Sequence, residues 1–496
     1  MKKYALPLFI LLSVNILSHF LPFERASSAP DDFSDYLHVQ NQSSATLISK
    51  AITNVNRPLN YLFIYFQLKW TKLNNWETTA LLFISTCIFT GMAYFLFLAL
   101  LGNTAWALLA SLFYLLLPNK LELFHMSGVT NVNIVFSIYI LSMLSFIYFL
   151  KSDRFYFFLL SLFCYSVGIF WYEVGFLLPI VLFVYAFLFR RSHTVWAAYF
   201  VIPALLYITW RFTAGFGIVP NAEMGHAIQL AKIFENMATA VHHYIGRYMM
   251  TAILYGIFQF PKMEIFWLGM IITGNVLLVL WLLRWLKKIS PLETNYKIIL
   301  LALSMVIAFL IPNLVYVVER RHTTLSSLGI TLLMVACCHG LGRHYKKVVF
   351  PVILIFLIAC QGTAWNQVVA CRILRSVFDA VQEYEPQMQS YENIIFDQYS
   401  FANHIPYTWG DKKTNVLESY WAMQVFTPWS TASMFSLYAP QKHLYISRQA
   451  LEEQETSFKV PLSEQESILL PKAKTFLVNF DKVYGGSYSH GNRNKF

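Results

Sequence analysis

Long apolar runs recur along this chain from residue 4 to about residue 363, and polar residues collect in the stretches between them. A bilayer core of about 30 Å is crossed by roughly 20 apolar residues in helical form. Runs of this kind lie near 4–22, 78–101, 104–118, 131–150, 155–171, 174–189, 195–213, 264–283, 297–317, 324–341 and 347–363, and they predict about eleven transmembrane helices. Two long polar stretches, 23–77 and 214–262, interrupt the series as loops. Within the first, Arg57 to Trp76 mixes aromatic, aliphatic and basic residues as a helix lying in the membrane interface does. Beyond residue 364 the pattern changes. Short apolar runs at Asn393–Phe396, His443–Ile446 and Thr475–Asn479 alternate with turn residues and prolines, which predicts a small α/β domain. The expected organisation is a polytopic α-helical membrane domain over 1–363 and a C-terminal domain over 364–496.

Composition agrees with this pattern. Of 496 residues, 57% are hydrophobic, 17% aromatic and 13% charged, with a mean hydropathy of +0.50; that is the profile of a membrane protein. Six cysteines, Cys87, Cys164, Cys337, Cys338, Cys360 and Cys371, lie in or beside apolar runs and read as small packing residues without a disulfide framework.

Charge then orients the chain. Lysine and arginine in short loops favour the cytoplasmic side. Lys2, Lys3, Lys151, Arg154, Arg190, Arg191, Arg284, Lys287, Lys288, Arg343, Lys346 and Lys347 all fall on one side if the helices alternate. The N-terminus is therefore expected in the cytoplasm and the C-terminal domain outside it. The net charge of +11 is then largely a signature of topology, and no nucleic-acid partner is expected. The first apolar run resembles a signal peptide, with Ser27-Ser28-Ala29 as small residues after it. Pro30 directly after such a cleavage point argues for a retained span.

The extracytoplasmic side also gathers the residues with chemical potential. Asp31 and Asp32 follow the first span, with Asp35 close behind, and paired carboxylates at a membrane edge suit a general base or a shared divalent ion. Arg320, Arg321 and His322 fill a short outside turn, against the usual charge bias, and cations there suit an anionic phosphate. Arg57, Glu122 and Glu173 fall in other outside stretches. Glu173 lies between two spans, where a charge drawn deeper costs about 2.5–3.5 kcal/mol. His226, His242 and His243 form no metal-ligand motif, and no GxSxG, Walker or GxGxxG signature is present.

Five stretches in order carry a family resemblance: Asp31-Asp32; Arg57-Pro58-Leu59; Pro118 to Glu122; Glu173-Val174-Gly175; and Asn313-Leu314 followed by Glu319-Arg320 and Ser326. They resemble the motifs of the integral-membrane GT-C glycosyltransferases, above all the protein O-mannosyltransferases and those that carry tetratricopeptide repeats. The resemblance covers roughly residues 1–345. Leu117 and Lys120 stand where that family has histidines, Tyr172 where it has a lysine, and Arg321 where it has a tyrosine; no repeat region follows the membrane part.

The resemblance implies a GT-C-like membrane fold and an inverting transfer of a sugar from a polyprenyl phosphate to a glycan, lipid or protein acceptor. Asp31 or Asp32 is implied as the base, and Arg320, Arg321, His322 and Arg57 as the donor-phosphate residues, with Glu122 and Glu173 as further site acids. The cofactor is left open, a divalent cation being one reading and the lipid-linked sugar the co-substrate. A lipid or small-solute transporter or flippase is the main alternative, and an envelope polysaccharide ligase or polymerase another. A transporter is expected to carry ionisable or helix-breaking residues near the midplane, often in related halves; here the charges sit at span ends. The membrane is expected to be a bacterial inner membrane, with the endoplasmic reticulum as the alternative.

Overall fold

A computed structural model describes residues 2–21, 23, 36, 39–40, 42–54, 57–72, 74–120, 124, 130–214, 230–289, 296–314, 321–397, 442–447, 450–461 and 466–478. The membrane part is helical. In chain order the helices are α1 (Lys2–Asn15), α2 (Ser44–Asn54), α3 (Pro58–Thr71), α4 (Asn75–Leu101), α5 (Thr104–Leu116), α6 (Thr130–Ser152), α7 (Phe155–Trp171), α8 (Leu178–Phe189), α9 (Thr194–Ala198) and α10 (Val201–Thr213). They continue with α11 (Leu230–Tyr244), α12 (Arg247–Gln259), α13 (Ile265–Lys288), α14 (Tyr296–Leu314), α15 (Ser326–Gly340) and α16 (Tyr345–Met388). Six helical segments among the described residues are long and apolar enough to cross a membrane: Trp76–Leu101, Thr130–Ser152, Arg191–Thr213, Ile265–Leu286, Tyr296–Leu314 and Tyr345–Val368. Shorter apolar helices occupy the remaining expected runs.

Local chemistry explains the tight turns. Gly102 closes α4 in the left-handed region at φ 66° and donates its backbone N–H to Leu98 O, a conformation that glycine adopts without a Cβ penalty. Asn103 then starts α5 by accepting from the backbone N–H groups of Ala105 and Trp106, the usual service of an N-cap side chain. Two residues thus reverse the chain. Pro58 opens α3 and Pro179 opens α8 within the first helical turn, where a missing N–H costs nothing.

The two ends of the bundle are knitted separately. At one end, Lys151 Nζ donates to Ala99 O at 2.9 Å, His193 Nε2 meets Asp153 Oδ1 at 2.9 Å, and Tyr345 Oη donates to Ile289 O at 3.2 Å. These join turns expected on the cytoplasmic side. At the other end, the turns beside Arg57, Asn119, Glu173 and His322 bond to one another, as described below. Between the ends lies one large apolar core, in which Trp106, Tyr94, Tyr139, Tyr165, Phe89, Phe97 and Phe113 are fully buried. On α13, Ile272, Val276, Leu277, Leu280 and Leu283 are exposed, as lipid-facing side chains are.

The stretch 214–262, expected as an outside loop, contributes α11 and α12. Helix α12 packs closely on α16, because neither Gly256 nor Gly362 has a side chain to hold the backbones apart; a Cβ on either would strike the backbone of the other helix. Small residues at such crossings are the usual device for close helix approach in membranes. The domain boundary expected at 363/364 falls inside α16, which runs unbroken to Met388.

Past α16, the three predicted apolar runs form β1 (Asn393–Asp397), β2 (His443–Ser447) and β6 (Thr475–Val478). They make one parallel sheet in the order β2-β1-β6. β3 (Glu452–Glu453), β4 (Ser457–Pro461) and β5 (Ser467–Pro471) make a second, antiparallel sheet. Ile395, Phe458, Val460 and Leu470 form their shared apolar centre. The fold is thus a helical membrane protein with a small C-terminal strand region.

Gly362→Leu is expected to force α12 away from α16 and to cost about 1–3 kcal/mol or more of stability, as overpacking of a tight core does. Thermal unfolding in detergent checks this; a melting temperature equal to wild type would mean that the crossing is looser than described.

Candidate functional site

An ion pair is central to the end of the bundle opposite Lys151 and Asp153. Arg57 precedes α3 as its cap residue, and Glu173 lies in the turn Glu173–Gly175 between α7 and α8. Arg57 Nε donates to Glu173 Oε2 at 2.9 Å, and Nη2 donates to Oε1, so the fork is engaged at both teeth. Their side chains are 25% and 16% exposed. Burial alone would raise the Glu173 carboxyl; the Arg57 charge and hydrogen bond, with Arg211 beyond, outweigh it and hold the group below its ordinary value. Such a pair is intact at neutral pH and is lost only as pH falls through that depressed value.

Glycines shape the turn that holds Glu173. A Cβ on Gly168 would come within 2.6 Å of the Tyr139 ring, and one on Gly175 would meet the same ring more closely still. Without them the ring lies flat against the turn, and Tyr139 Oη donates to Tyr172 O at 2.6 Å. The glycine of the Glu173-Val174-Gly175 motif therefore has a steric reason.

From here the bonds spread to the other outward stretches. The Arg57 guanidinium stands 4.5 Å over the ring of Tyr172, a favourable cation–π placement. Tyr172 Oη is 2.8 Å from His322 Nε2, and the two rings stack at 6.2 Å. His322 opens into a buried polar run, Thr323, Thr324, Ser326 and Ser327. Asn119 Nδ2 uses both of its hydrogens there, on Thr323 Oγ1 at 3.0 Å and Ser327 Oγ at 2.9 Å. Tyr114 Oη donates to Thr324 O at 3.1 Å, and Tyr244 of α11 donates to Thr323 O at 2.8 Å. Buried polar groups persist when they are bonded in this way.

Arg211, in the last turn of α10, belongs to the same neighbourhood. It is 2% exposed, its Nη1 donates to Tyr207 Oη at 2.9 Å, and its charge reaches Glu173. A charged side chain near the end of an apolar span is by default a functional candidate; Tyr207 four residues earlier was the accompanying signal in the sequence.

The placement of the expected residues is as follows. Arg57 and Glu173 meet each other, so the former's fork is taken by the latter; the expected phosphate ligand and the expected site acid are one pair. His322 is 5% exposed and engages Tyr172 instead of facing an open cleft. The backbone of Arg321 starts the turn Arg321–Thr323, while its side chain lies outside the described residues. Asp31, Asp32, Glu122, Arg320 and His226 also lie outside them. Among the described residues no group of three or more His, Cys, Asp or Glu side chains is set to hold a metal ion. Cys87, Cys164, Cys337, Cys338 and Cys360 are not joined in disulfides.

No protein-family model matches the chain, and no curated protein is significantly similar to it.

Removing one partner of the Arg57–Glu173 pair leaves the other charge uncompensated in the turn, and Glu173→Gln is expected to cost about 3 kcal/mol of stability. Replacing both, Arg57→Met with Glu173→Leu, should recover most of that loss. Unfolding of the two single variants and the double variant in detergent measures the coupling; additive losses would contradict the pairing.

Proposed function

We propose that this protein is a membrane glycosyltransferase of GT-C-like architecture, with about eleven spans, a cytoplasmic N-terminus and an extracytoplasmic C-terminal domain. It moves a sugar from a polyprenyl-phosphate donor to a glycan, lipid or protein acceptor of the cell envelope. One observation carries the reading. Four separate stretches of sequence, Arg57-Pro58-Leu59, Pro118-Asn119-Lys120, Tyr172 to Gly175 and the run from Arg321 to Ser327, are tied together by Arg57–Glu173, Tyr172–His322 and Asn119–Thr323 bonds.

In this reading the carboxylate of Asp31 or Asp32 takes the proton of an acceptor hydroxyl. The freed oxygen attacks the anomeric carbon from the face opposite the lipid phosphate, and the bond from that carbon to the phosphate oxygen breaks with inversion. Arg320 and Arg321 supply positive charge where the phosphate departs, since preorganised cations stabilise developing charge in a water-poor site. Tyr172 holds His322, which follows that arginine pair in the chain. Because Glu173 takes both teeth of the Arg57 fork, Arg57 acts on this site through Tyr172 and Glu173.

The lipid tail gives the reason for the location. A polyprenyl chain stays in the bilayer while its phosphate and sugar must meet a water-borne acceptor, so the chemistry belongs at the span ends. In this reading Arg57, Glu173 and Arg211, which lie in turns or in the last turn of a helix, are taken to stand at the edge of the bilayer. A solute pathway would instead place such groups near the midplane.

Purified wild type is expected to release sugar from at least one member of a panel of polyprenyl-phosphate sugars when cell-envelope extract is the acceptor. Asp31→Asn or Asp32→Asn should lower turnover about 10²–10⁴-fold, the range of a lost general base, and Arg320→Ala about 10²–10³-fold. A chelator added to the same assay reads any need for a divalent cation. Unchanged turnover in all three variants removes this site, and silence of the wild type on every donor removes the reaction.

A further inference from the structure

We propose that Arg211 is a positioning residue of this site, acting on the donor through Glu173, Arg57 and Tyr172 without touching it. The inference rests on the glycosyltransferase reading above and adds to it a residue from a span that carries none of the recognised motifs.

Arg211 is 2% exposed, so a lipid phosphate at the membrane surface is beyond its direct reach. Its surroundings point inward to the turn. Nη1 donates to Tyr207 Oη at 2.9 Å, and the guanidinium lies 5.7 Å from the centre of the Tyr207 ring. That ring stands edge-on to Phe170 at 5.4 Å, and Phe170 also meets Trp210 at 5.5 Å. Phe170 is three residues before Glu173, so the last turn of α10 is packed directly on the segment that presents the carboxylate.

Arg57 holds the Glu173 carboxylate by a forked contact, while Arg211 stands on the neighbouring helix, whose Tyr207 and Trp210 pack on the segment leading to Glu173 and bring its positive charge to that side. Opposite charges in a site of low dielectric interact strongly, and a second cation favours the ionised carboxylate that the Arg57 fork requires. With Glu173 held on Arg57, the Arg57 charge stays over Tyr172 at 4.5 Å, and Tyr172 stays on His322 at 2.8 Å. His322 adjoins Arg321 and Arg320 in the chain. Loss of Arg211 would loosen the first link, and the effect would be felt where the donor phosphate binds.

The test is steady-state kinetics on the full-length protein in detergent or nanodiscs, using the polyprenyl-phosphate sugar that wild type turns over best. Arg211→Met is expected to lower kcat/KM for the donor at least tenfold, mainly through KM, while KM for the acceptor changes less than twofold. Arg211→Lys, which keeps the charge, should recover part of the loss. Tyr207→Phe should give a smaller loss of the same kind. The effects of Arg211→Met and Glu173→Gln on donor kcat/KM should be strongly non-additive, because both act through one carboxylate.

If Arg211→Met does not fold, Arg211→Lys and Tyr207→Phe carry the test alone, and a change in donor KM in neither would overturn the inference. Additive effects with Glu173→Gln would overturn it as well, as would a loss confined to thermal stability with donor KM unchanged. Wild type that turns over while these variants match it sinks the role of Arg211 only. Wild type that turns over no donor sinks the enzyme reading and this inference together.

Discussion

A half-buried carboxylate between two apolar helices is tolerable only if something neutralises it, and one end of this protein is organised around that requirement. Taking an isolated charge out of water costs several kcal/mol even after relaxation, and a partner repays this only with good geometry. Glu173 finds that geometry in the Arg57 fork. The partner comes from outside the helix pair that carries the acid, so satisfying the charge also fixes where α3 must lie. From Arg57 the constraint passes to the ring of Tyr172, then to His322, and so to the start of α15. An arginine serves here where lysine would not, since only the planar fork can hold two carboxylate oxygens and lie over a ring at once.

The same logic divides the bundle into two chemically different ends. The interior offers the backbone no water, so helices carry their own hydrogen bonds and the polar work moves to the turns. At one end that work is spare: a glycine in the left-handed region, an asparagine cap, a lysine on the last carbonyls of α4. At the other it is dense, with Asn119, Tyr114, Tyr244, Thr323, Ser326 and Ser327 buried or half-buried and bonded among themselves. A turn that merely reversed the chain would need far less.

Much of this was readable from residue order, and the rest was not for identifiable reasons. Apolar runs announce helices because their length is set by the bilayer, and the predicted segments coincide with helices from α1 to the membrane part of α16. The strands at Asn393, His443 and Thr475 were visible because each run is short and closed by turn residues. The sequence reading missed that α16 continues to Met388: falling hydrophobicity marks the exit from apolar surroundings, but a helix needs none once its hydrogen bonds are under way. It also missed the meeting of Gly256 and Gly362, since close approach of two backbones leaves only the absence of side chains as its mark. Arg57 and Glu173 were both singled out, yet as separate candidates. Nothing in a linear order says that residues 116 positions apart share a pair of hydrogen bonds.

That pairing changes what each residue can do. An arginine whose fork is filled by a carboxylate is a poor free ligand for a second anion, and a carboxylate held by an arginine is a poor base. Their chemistry is spent on geometry. In the glycosyltransferase reading proposed above, the groups left to act on a substrate are Asp31 or Asp32 and the arginines that adjoin His322 in the chain, and the route from Arg57 runs through Tyr172 to His322. The two departures from the resembling motif fall on this route: Tyr172 stands in place of a lysine and Arg321 in place of a tyrosine. In that reading the hydroxyl of Tyr172 joins the turn that bears Glu173 to His322 at 2.8 Å, at the position where a lysine would instead set a cation.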